Sequence, residues 1–167
     1  MIAQPARIIR SFALAITVLG LISACSSNPA TRTGNTAPQD AVGDHPKVGE
    51  RAAAVALDQV GVPYRFGGSS PRGFDCSGLV QYSYSLAGKR LPRTTGQLWP
   101  ETHTVGRHEL RAGDLLFFNI DGKMSHVGLY LGQQRFVHAP SSGRTVSVAS
   151  LSSPYYESAF ARAGRPK

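Results

Sequence analysis

At 167 residues, the chain is long enough for one domain with its own hydrophobic core. Its formal net charge of +8 suits an anionic partner, a class that includes a cell wall, a membrane surface and nucleic acid. The amino-terminal segment narrows this class, because its export signals argue against a nucleic-acid partner.

Residues 1–24 contain the parts of a secretory signal peptide. Two arginines come first, residues 12–22 form an apolar segment, and two small residues precede Cys25. The apolar segment is shorter than the roughly 20 residues that a membrane-spanning helix needs. Residues 21–25 (LISAC) resemble the lipobox of bacterial lipoproteins, which implies that Cys25 becomes an acylated first residue. The alternatives are an ordinary secretory cleavage site and a small buried cysteine near an anchoring helix.

Residues 25–46 are predicted to be the acylated cysteine and a flexible tether, because they are rich in small and polar residues and show no apolar periodicity. The folded domain then occupies residues 47–167, and loss of the two signal-peptide arginines lowers the net charge from +8 to +6. A lipid on Cys25 would anchor the chain to a membrane of the cell envelope, facing the periplasm. Ser26 favours the outer over the inner membrane in a host with two membranes.

Two helices are predicted at the start of the domain. Alanine-rich residues 49–60 have apolar positions at three-four spacing, and Gly61 is expected to end this helix. A glycine-dense loop over residues 64–73 leads to a second helix over residues 76–86. Asp75 is placed to cap the N terminus of the second helix.

Strand patterns replace helical ones after Gly106. Residues 114–119 are an apolar run typical of a buried strand, and the dipeptide Asp121-Gly122 predicts a tight hairpin turn after it. The other elements predicted from local patterns, a short helix and four strands, lie at residues 94–99, 126–131, 135–138, 145–148 and 159–163. Helices followed by strands predict an α+β fold, with N-terminal helices packed on a mainly antiparallel sheet.

Cys76 is predicted to lie at the N terminus of the second helix, where backbone N–H groups and the helix macrodipole lower the pKa of a thiol. If Cys25 carries lipid, Cys76 has no disulfide partner in a compartment that oxidises thiols, so we expect it to be buried or used. Its own first-turn N–H group is free to stabilise an oxyanion. These features indicate a cysteine nucleophile.

The five histidines fall into two groups. His45, His103 and His108 lie in polar connecting segments and are expected to be solvated surface residues. His126 and His138 lie inside apolar strand patterns, where a buried imidazole is costly unless it is hydrogen-bonded. The alternative for either one alone is a satisfied core histidine.

The spacing of His126 and His138 allows them to act together. A three-residue loop at residues 132–134 would place both imidazoles on one face of an antiparallel hairpin, opposite Val127. We expect that face to meet the helix that carries Cys76, which predicts a Cys–His–His constellation. A zinc site is the rival use of these residue types, but no closely spaced ligand pair is present.

Several motifs resemble those of the NlpC-type cell-wall peptidases, in the same order and at the same spacing across nearly all of residues 47–165. They are residues 63–68 (PYRFGG), 74–80 (FDCSGLV), 91–93 (LPR), 113–118 (GDLLFF), 125–132 (SHVGLYLG) and 136–139 (FVHA). The resemblance implies a circularly permuted, papain-like fold that cleaves amide bonds in peptidoglycan stem peptides or cross-links. The peptidase reaction that the resemblance implies requires no metal ion or organic cofactor.

The resemblance also implies roles for particular residues. Cys76 corresponds to the nucleophile, His126 to the general base and His138 to the residue that orients the base. Tyr64 corresponds to a tyrosine beside the nucleophile that helps to bind the oxyanion or the substrate; the alternative is packing within its loop. Four further motif residues border the cleft, where capping and loop hydrogen bonds are an equal alternative: Asp75, Ser77, Arg93 and Ser125.

Three classes of function stay open at this point. The leading hypothesis is a cysteine endopeptidase of peptidoglycan, acting within a stem or, as we slightly favour, on the cross-link between stems. A lipid acyl-transfer enzyme would use the same chemistry but needs an apolar tunnel, for which the sequence shows no insertion. A non-catalytic wall-binding lipoprotein is the third class.

Overall fold

The structure is a computed structural model, and it describes residues 45–167, with side chains from residue 47. The predicted signal peptide, the predicted lipid attachment at Cys25 and most of the predicted tether lie outside the described residues. The helices are α1 (His45–Leu57), α2 (Cys76–Leu86), α3 (Thr95–Leu98) and α4 (Pro154–Ala159). The strands are β1 (Ser69–Ser70), β2 (Gly73–Phe74), β3 (Thr102–Val105), β4 (Leu115–Ile120), β5 (Lys123–Gly132), β6 (Arg135–His138), β7 (Ser147–Ser150) and β8 (Phe160–Pro166). A short 3₁₀ turn, Arg107–Glu109, lies between β3 and β4.

The bounds of α2 match the prediction, but those of α1 do not. α1 begins four residues before the predicted start, because Pro46 fits the first turn of a helix, where its missing N–H group is not needed. It ends at Leu57 rather than at residue 60, since the next amides turn back onto carbonyls three residues earlier. His45, predicted to lie in the tether, is therefore the first residue of α1.

The large sheet has six strands in the order β3-β8-β4-β5-β6-β7, and all of its pairs are antiparallel. This arrangement confirms the predicted α+β class. The last predicted strand forms as β8, which lies between β3 and β4 inside the sheet rather than at its edge. The strand predicted over residues 145–148 is shifted by two residues to Ser147–Ser150. β3, α4 and the small β1–β2 hairpin were not predicted from the sequence.

The loop between β5 and β6 is shorter than predicted, but His126 and His138 lie on the same face of the sheet, as predicted. Gly132 pairs with Arg135, so the loop has two residues, and both have the positive φ angles of a tight hairpin turn. Leu131 has no partner in the register, which makes it a β-bulge. This one extra residue has the same effect on the facing of the side chains as the predicted three-residue loop. His126 and His138 consequently lie on the same face of the sheet.

The helix that carries Cys76 packs on the opposite face from the one predicted. Leu79 of α2 shares a core with Val127 and Leu129 of β5. The two histidines lie on the other face, where the ring of His126 is 6.0 Å from that of Phe118. The apolar helix face requires an apolar sheet face, so α2 covers Val127, and only the N-terminal end of α2 reaches the histidines. Within the described residues, no helix has both the length and the apolar character needed to cross a membrane.

Candidate active site

Asp75 anchors the N-terminal end of α2 through five hydrogen bonds. Its Oδ1 atom accepts from the Gly78 amide at 2.7 Å, which confirms the predicted helix cap, and also from the Ser77 hydroxyl at 3.3 Å. Its Oδ2 atom accepts from the Gly67 amide at 3.0 Å. Both oxygens accept from the Arg93 guanidinium, at 2.9 and 2.6 Å. Arg93 and Asp75 therefore form a bidentate ion pair that ties the helix to the loop before it.

The glycine two residues after Cys76 is required by the close approach of this loop. A Cβ atom on Gly78 would lie 2.0 Å from the carbonyl oxygen of Gly68. Because that contact involves backbone rather than a movable side chain, the first turn of α2 accommodates no larger residue. The same carbonyl oxygen accepts a hydrogen bond from the Asp75 amide at 3.0 Å.

Replacing Asp75 with Ala is expected to reduce the free energy of unfolding by about 2–4 kcal/mol, because it removes a helix cap and leaves the Arg93 charge without its partner. Asp75→Asn retains side-chain acceptors and is expected to lose less. The exposed Asp58 supplies the matched control, since Asp58→Ala should stay within about 0.5 kcal/mol of the wild type. Urea unfolding measures all three, and a wild-type midpoint for Asp75→Ala would contradict this role.

Cys76 is half-buried at the first position of α2. Its Sγ atom lies 3.8 Å from the Thr95 hydroxyl and 3.8 Å from the Ser125 carbonyl oxygen. Burial raises the pKa of the thiol, and hydrogen bonds from Thr95 and from the Val127 amide offset part of that rise. The lowered pKa expected from the helix N terminus is therefore not found, because burial outweighs the local donors.

His126 and His138 are both buried and share a hydrogen bond. His126 Nε2 lies 2.8 Å from His138 Nδ1, and His138 Nε2 lies 3.3 Å from the hydroxyl of Tyr156. Burial is the main cause that lowers the pKa of His126 to about 4 and that of His138 to about 3. Both imidazoles are thus neutral at pH 7.

Stability is expected to fall as the pH decreases from 6.5 to 5, because an unfolded chain would protonate these two histidines while the folded chain keeps them neutral. The pKa values are lowered on folding, so the contribution is fully present above pH 6.5 and is lost towards pH 4. Between pH 6.5 and 5, each histidine should lower the free energy of unfolding by roughly 2 kcal/mol.

Urea unfolding at pH 7.5, 6 and 5 measures this slope. The double variant His126→Gln/His138→Gln should show a flatter pH dependence than the wild type. His103→Gln/His108→Gln is the matched control, because both histidines are exposed, as predicted, and the change should leave the slope as it is. Equal slopes for all three proteins would contradict the burial argument.

A cleft of about 640 Å³ brings the predicted residues together. Tyr64, Cys76, Ser125 and His126 line it. Asp75, Ser77 and Arg93 do not line it but are hydrogen-bonded to one another at the N terminus of α2. The pKa of the Tyr64 hydroxyl is raised, first by burial and then by the nearby Cys76. His138 stands behind His126 in the hydrogen-bonded chain.

A break in the pairing of β4 and β5 sets the position of His126. Phe118 pairs with His126 and Asn119 pairs with Met124, so Ser125 has no opposite residue. Bulges of this kind redirect side chains and are common beside active sites. The Ser125 hydroxyl meanwhile donates to the Ile120 carbonyl at 3.4 Å.

The arrangement does not resemble a metal centre. Nε2 of His126 and Nδ1 of His138 face each other across a hydrogen bond instead of converging on an ion. Among residues 45–167, no group of three or more His, Cys, Asp or Glu side chains is placed to hold a metal ion.

Sequence reasoning missed several residues of the site, and three of them bear on its chemistry. Thr95 contacts the sulfur atom, Tyr156 contacts His138, and Arg144 lines the cleft. A signal existed for Tyr156, since Ser153-Pro154 is a helix-start pattern and α4 begins at that proline. Arg144 lies in an irregular loop, where local patterns do not predict position.

The family model for the NlpC/P60 family matches residues 61–165. Over 126 residues, the chain is 41% identical to murein DD-endopeptidase MepH of Escherichia coli (strain K12), covering 70% of this chain and 46% of MepH. The chain thus spans less than half the length of that relative. Over 168 residues, it is 36% identical to murein DD-endopeptidase MepS/murein LD-carboxypeptidase of the same strain, covering 90% of this chain and 89% of that protein.

Solved structures give the same result. A protein from Staphylococcus aureus, described as similar to lipoprotein of the NLP/P60 family, has a TM-score of 0.65 and 38% identity and covers 72% of this chain and 41% of its own. The NlpC/p60 domain of the peptidoglycan hydrolase SagA has a TM-score of 0.60 and 33% identity, covering 70% and 97%. The resemblance seen in the sequence motifs is therefore confirmed, and the chain belongs to the NlpC/P60 family.

Proposed function

We propose that the chain is a cysteine endopeptidase that cleaves amide bonds of peptidoglycan in the cell envelope. The observation that carries this proposal is the cleft that Cys76 and His126 both line, with His126 hydrogen-bonded to His138. A nucleophile, a base and a group that orients the base are the parts that acyl transfer requires. The names of the E. coli relatives, murein endopeptidases, support peptidoglycan as the substrate.

The hydrogen bond between the two histidines supports Nδ1 of His126 as the nitrogen that acts as the base. With the proton of His126 on Nε2 and donated to His138 Nδ1, the Nδ1 atom of His126 is free to take the thiol proton. His138 then donates its own Nε2 proton to the Tyr156 hydroxyl. His138 and Tyr156 are therefore positioning residues for His126.

The reaction begins from a neutral thiol and a neutral imidazole, as the raised pKa of Cys76 and the lowered pKa of His126 require. His126 removes the thiol proton as the sulfur attacks the scissile carbonyl carbon. The Cys76 backbone amide, in the first turn of α2, is placed to stabilise the oxyanion, and the Tyr64 hydroxyl lines the same cleft. His126 then gives the proton to the leaving amine, and water hydrolyses the thioester with His126 again as base.

The other predicted residues support this geometry. Asp75, Ser77 and Arg93 hold the N terminus of α2 against the preceding loop, and the Ser125 bulge directs His126 towards the cleft. These contacts favour a supporting role for all four residues.

The experiment that tests the proposal is digestion of defined muropeptides by the purified chain, with the products identified by mass. Release of peptide fragments that correspond to one amide bond supports the proposal and identifies the bond. Intact muropeptides after prolonged digestion, with a folded chain, would contradict hydrolysis and favour a wall-binding lipoprotein. The lipid acyl-transfer alternative predicts acyl exchange on lipid vesicles instead.

We also propose that residues 1–24 are a lipoprotein signal peptide and that an acylated Cys25 and a tether through about residue 46 join the domain to a membrane, preferentially the outer one. The lipobox-like sequence supports this anchoring, as does the likeness to the S. aureus protein described as similar to lipoprotein. Cys25→Ala is expected to release the chain from membranes, which fractionation and mass analysis of the amino terminus would measure. Membrane retention of that variant would contradict the anchor.

A further inference from the structure

Arg144 is an uncommitted cation in the wall of the active-site cleft. It lies in the loop between β6 and β7, is exposed, and lines the cleft with Cys76 and His126. Two other arginines of the domain form ion pairs, Arg93 with Asp75 and Arg165 with Asp114. For the Arg144 guanidinium, in contrast, the described part of the chain provides neither an ion pair nor a hydrogen bond.

The backbone of Arg144 is held in place although its side chain is free. Its carbonyl oxygen accepts from the Tyr64 amide at 2.8 Å, and its amide donates to the Ser141 carbonyl at 3.2 Å. Pro63 and Thr145 form a further bridge between the same two segments. A cation on an anchored backbone loses less conformational freedom when it binds a ligand than one on a mobile loop.

The charge of Arg144 lies on the histidine side of the cleft. Burial and the neighbouring His126 lower the pKa of His138, and Arg144 lowers it further. Burial and Tyr155 raise the pKa of the Tyr156 hydroxyl, and Arg144 opposes that rise. Arg93, in contrast, stands at the N terminus of α2 and is neutralised by Asp75. Arg144 therefore lines the same cleft as His126, and its free charge acts on His138 and Tyr156, the two residues behind that imidazole.

We propose that Arg144 binds a free carboxylate on the leaving-group side of the substrate, on the carbon that bears the scissile amine. A guanidinium offers two parallel donors that match a carboxylate. The inference rests on the proposed peptidase function and deepens it by naming the substrate class. Asp121, which also lines the cleft, is not paired with Arg144 and leaves its charge available.

This assignment discriminates between the two candidate bonds. In the cross-link between D-Ala and diaminopimelate, the leaving amine is attached to a carbon that carries a free carboxylate. In the bond between D-Glu and diaminopimelate within a stem, the corresponding carboxyl group is itself part of the next peptide bond. In a wall whose stems carry diaminopimelate rather than Lys, Arg144 therefore selects the cross-link.

The test compares two cross-linked dimers that differ only in this group, one with the carboxylate free and one with it amidated. Wild-type chain is expected to cleave the free form with a kcat/KM roughly ten- to hundredfold higher. Arg144→Met should lose that factor on the free form relative to the amidated form and bring the ratio of the two near one. Arg144→Lys should retain part of the preference, because it keeps the charge but not the two-donor geometry.

Arg135→Met is the matched control, since Arg135 is exposed on β6 and contacts only Gln133 through its side chain. It should keep the wild-type ratio. An equal loss on both dimers in Arg144→Met, or an unchanged ratio, would overturn the proposal.

Calorimetry with Cys76→Ala separates this inference from the peptidase function. That variant should bind the free dimer roughly tenfold more tightly than the amidated one, and Cys76→Ala/Arg144→Met should lose the difference. If wild-type chain cleaves neither dimer, the peptidase proposal fails on this substrate, while the binding comparison still decides the role of Arg144. Equal affinity of Cys76→Ala for both dimers would refute it.

Discussion

Replacing His126 with Gln is expected to lower the kcat of muropeptide cleavage by about 10³-fold, with little change in KM. Gln has similar reach and can still hydrogen-bond to His138, but it cannot accept the thiol proton. Because burial raises the pKa of Cys76, little thiolate forms at pH 7 without a base. The variant therefore loses both the activation of the nucleophile and the proton for the leaving amine.

Two comparisons make this result specific. His103→Gln changes an exposed histidine on β3 and should leave kcat at the wild-type value. His138→Asn keeps a side chain able to hydrogen-bond to His126 and should lose less than His126→Gln. Wild-type kcat in a folded His126→Gln protein would show that the base lies elsewhere.

The acid limb of the pH–rate profile should reflect the same buried pair. Since the pKa of His126 is lowered to about 4, the base stays unprotonated well below the usual pH range of a histidine. The activity should therefore persist to pH values at which an exposed histidine would already be charged.

Local chemistry explains why much of the domain could be predicted from the sequence. Asp75 and the apolar run after it specify the start of α2, and Asp121 and Gly122 adopt the positive φ angles of the predicted hairpin turn. Thr94 and Gln97 form a capping box at the start of the short helix predicted over residues 94–99. Each signal depends on residues a few positions apart, so it survives without knowledge of the tertiary fold.

Features that depend on distant residues could not be predicted in this way. The number of residues between them correctly predicted that His126 and His138 share a face. The bulge at Leu131 that produces this arrangement has no local signature in the sequence. Which face α2 covers depends on the packing of Leu79 against β5. The burial that raises the thiol pKa is likewise a property of the whole cleft.

Cys76→Ser is expected to reduce peptide release by at least about 10⁴-fold, the scale seen when a covalent nucleophile is removed. Serine is close to cysteine in size and retains the first-turn position of α2, so the fold should be preserved. A hydroxyl is a far weaker acid than a thiol, and His126, with its lowered pKa, is a poor base for it.

The most direct measurement is the release of soluble peptide from purified sacculi by wild-type chain and by Cys76→Ser at equal concentrations, after urea unfolding has shown both to be folded. The account predicts steady release by the wild type and none above background by the variant. Release by Cys76→Ser at a rate near that of the wild type would contradict the assignment of Cys76 as the nucleophile.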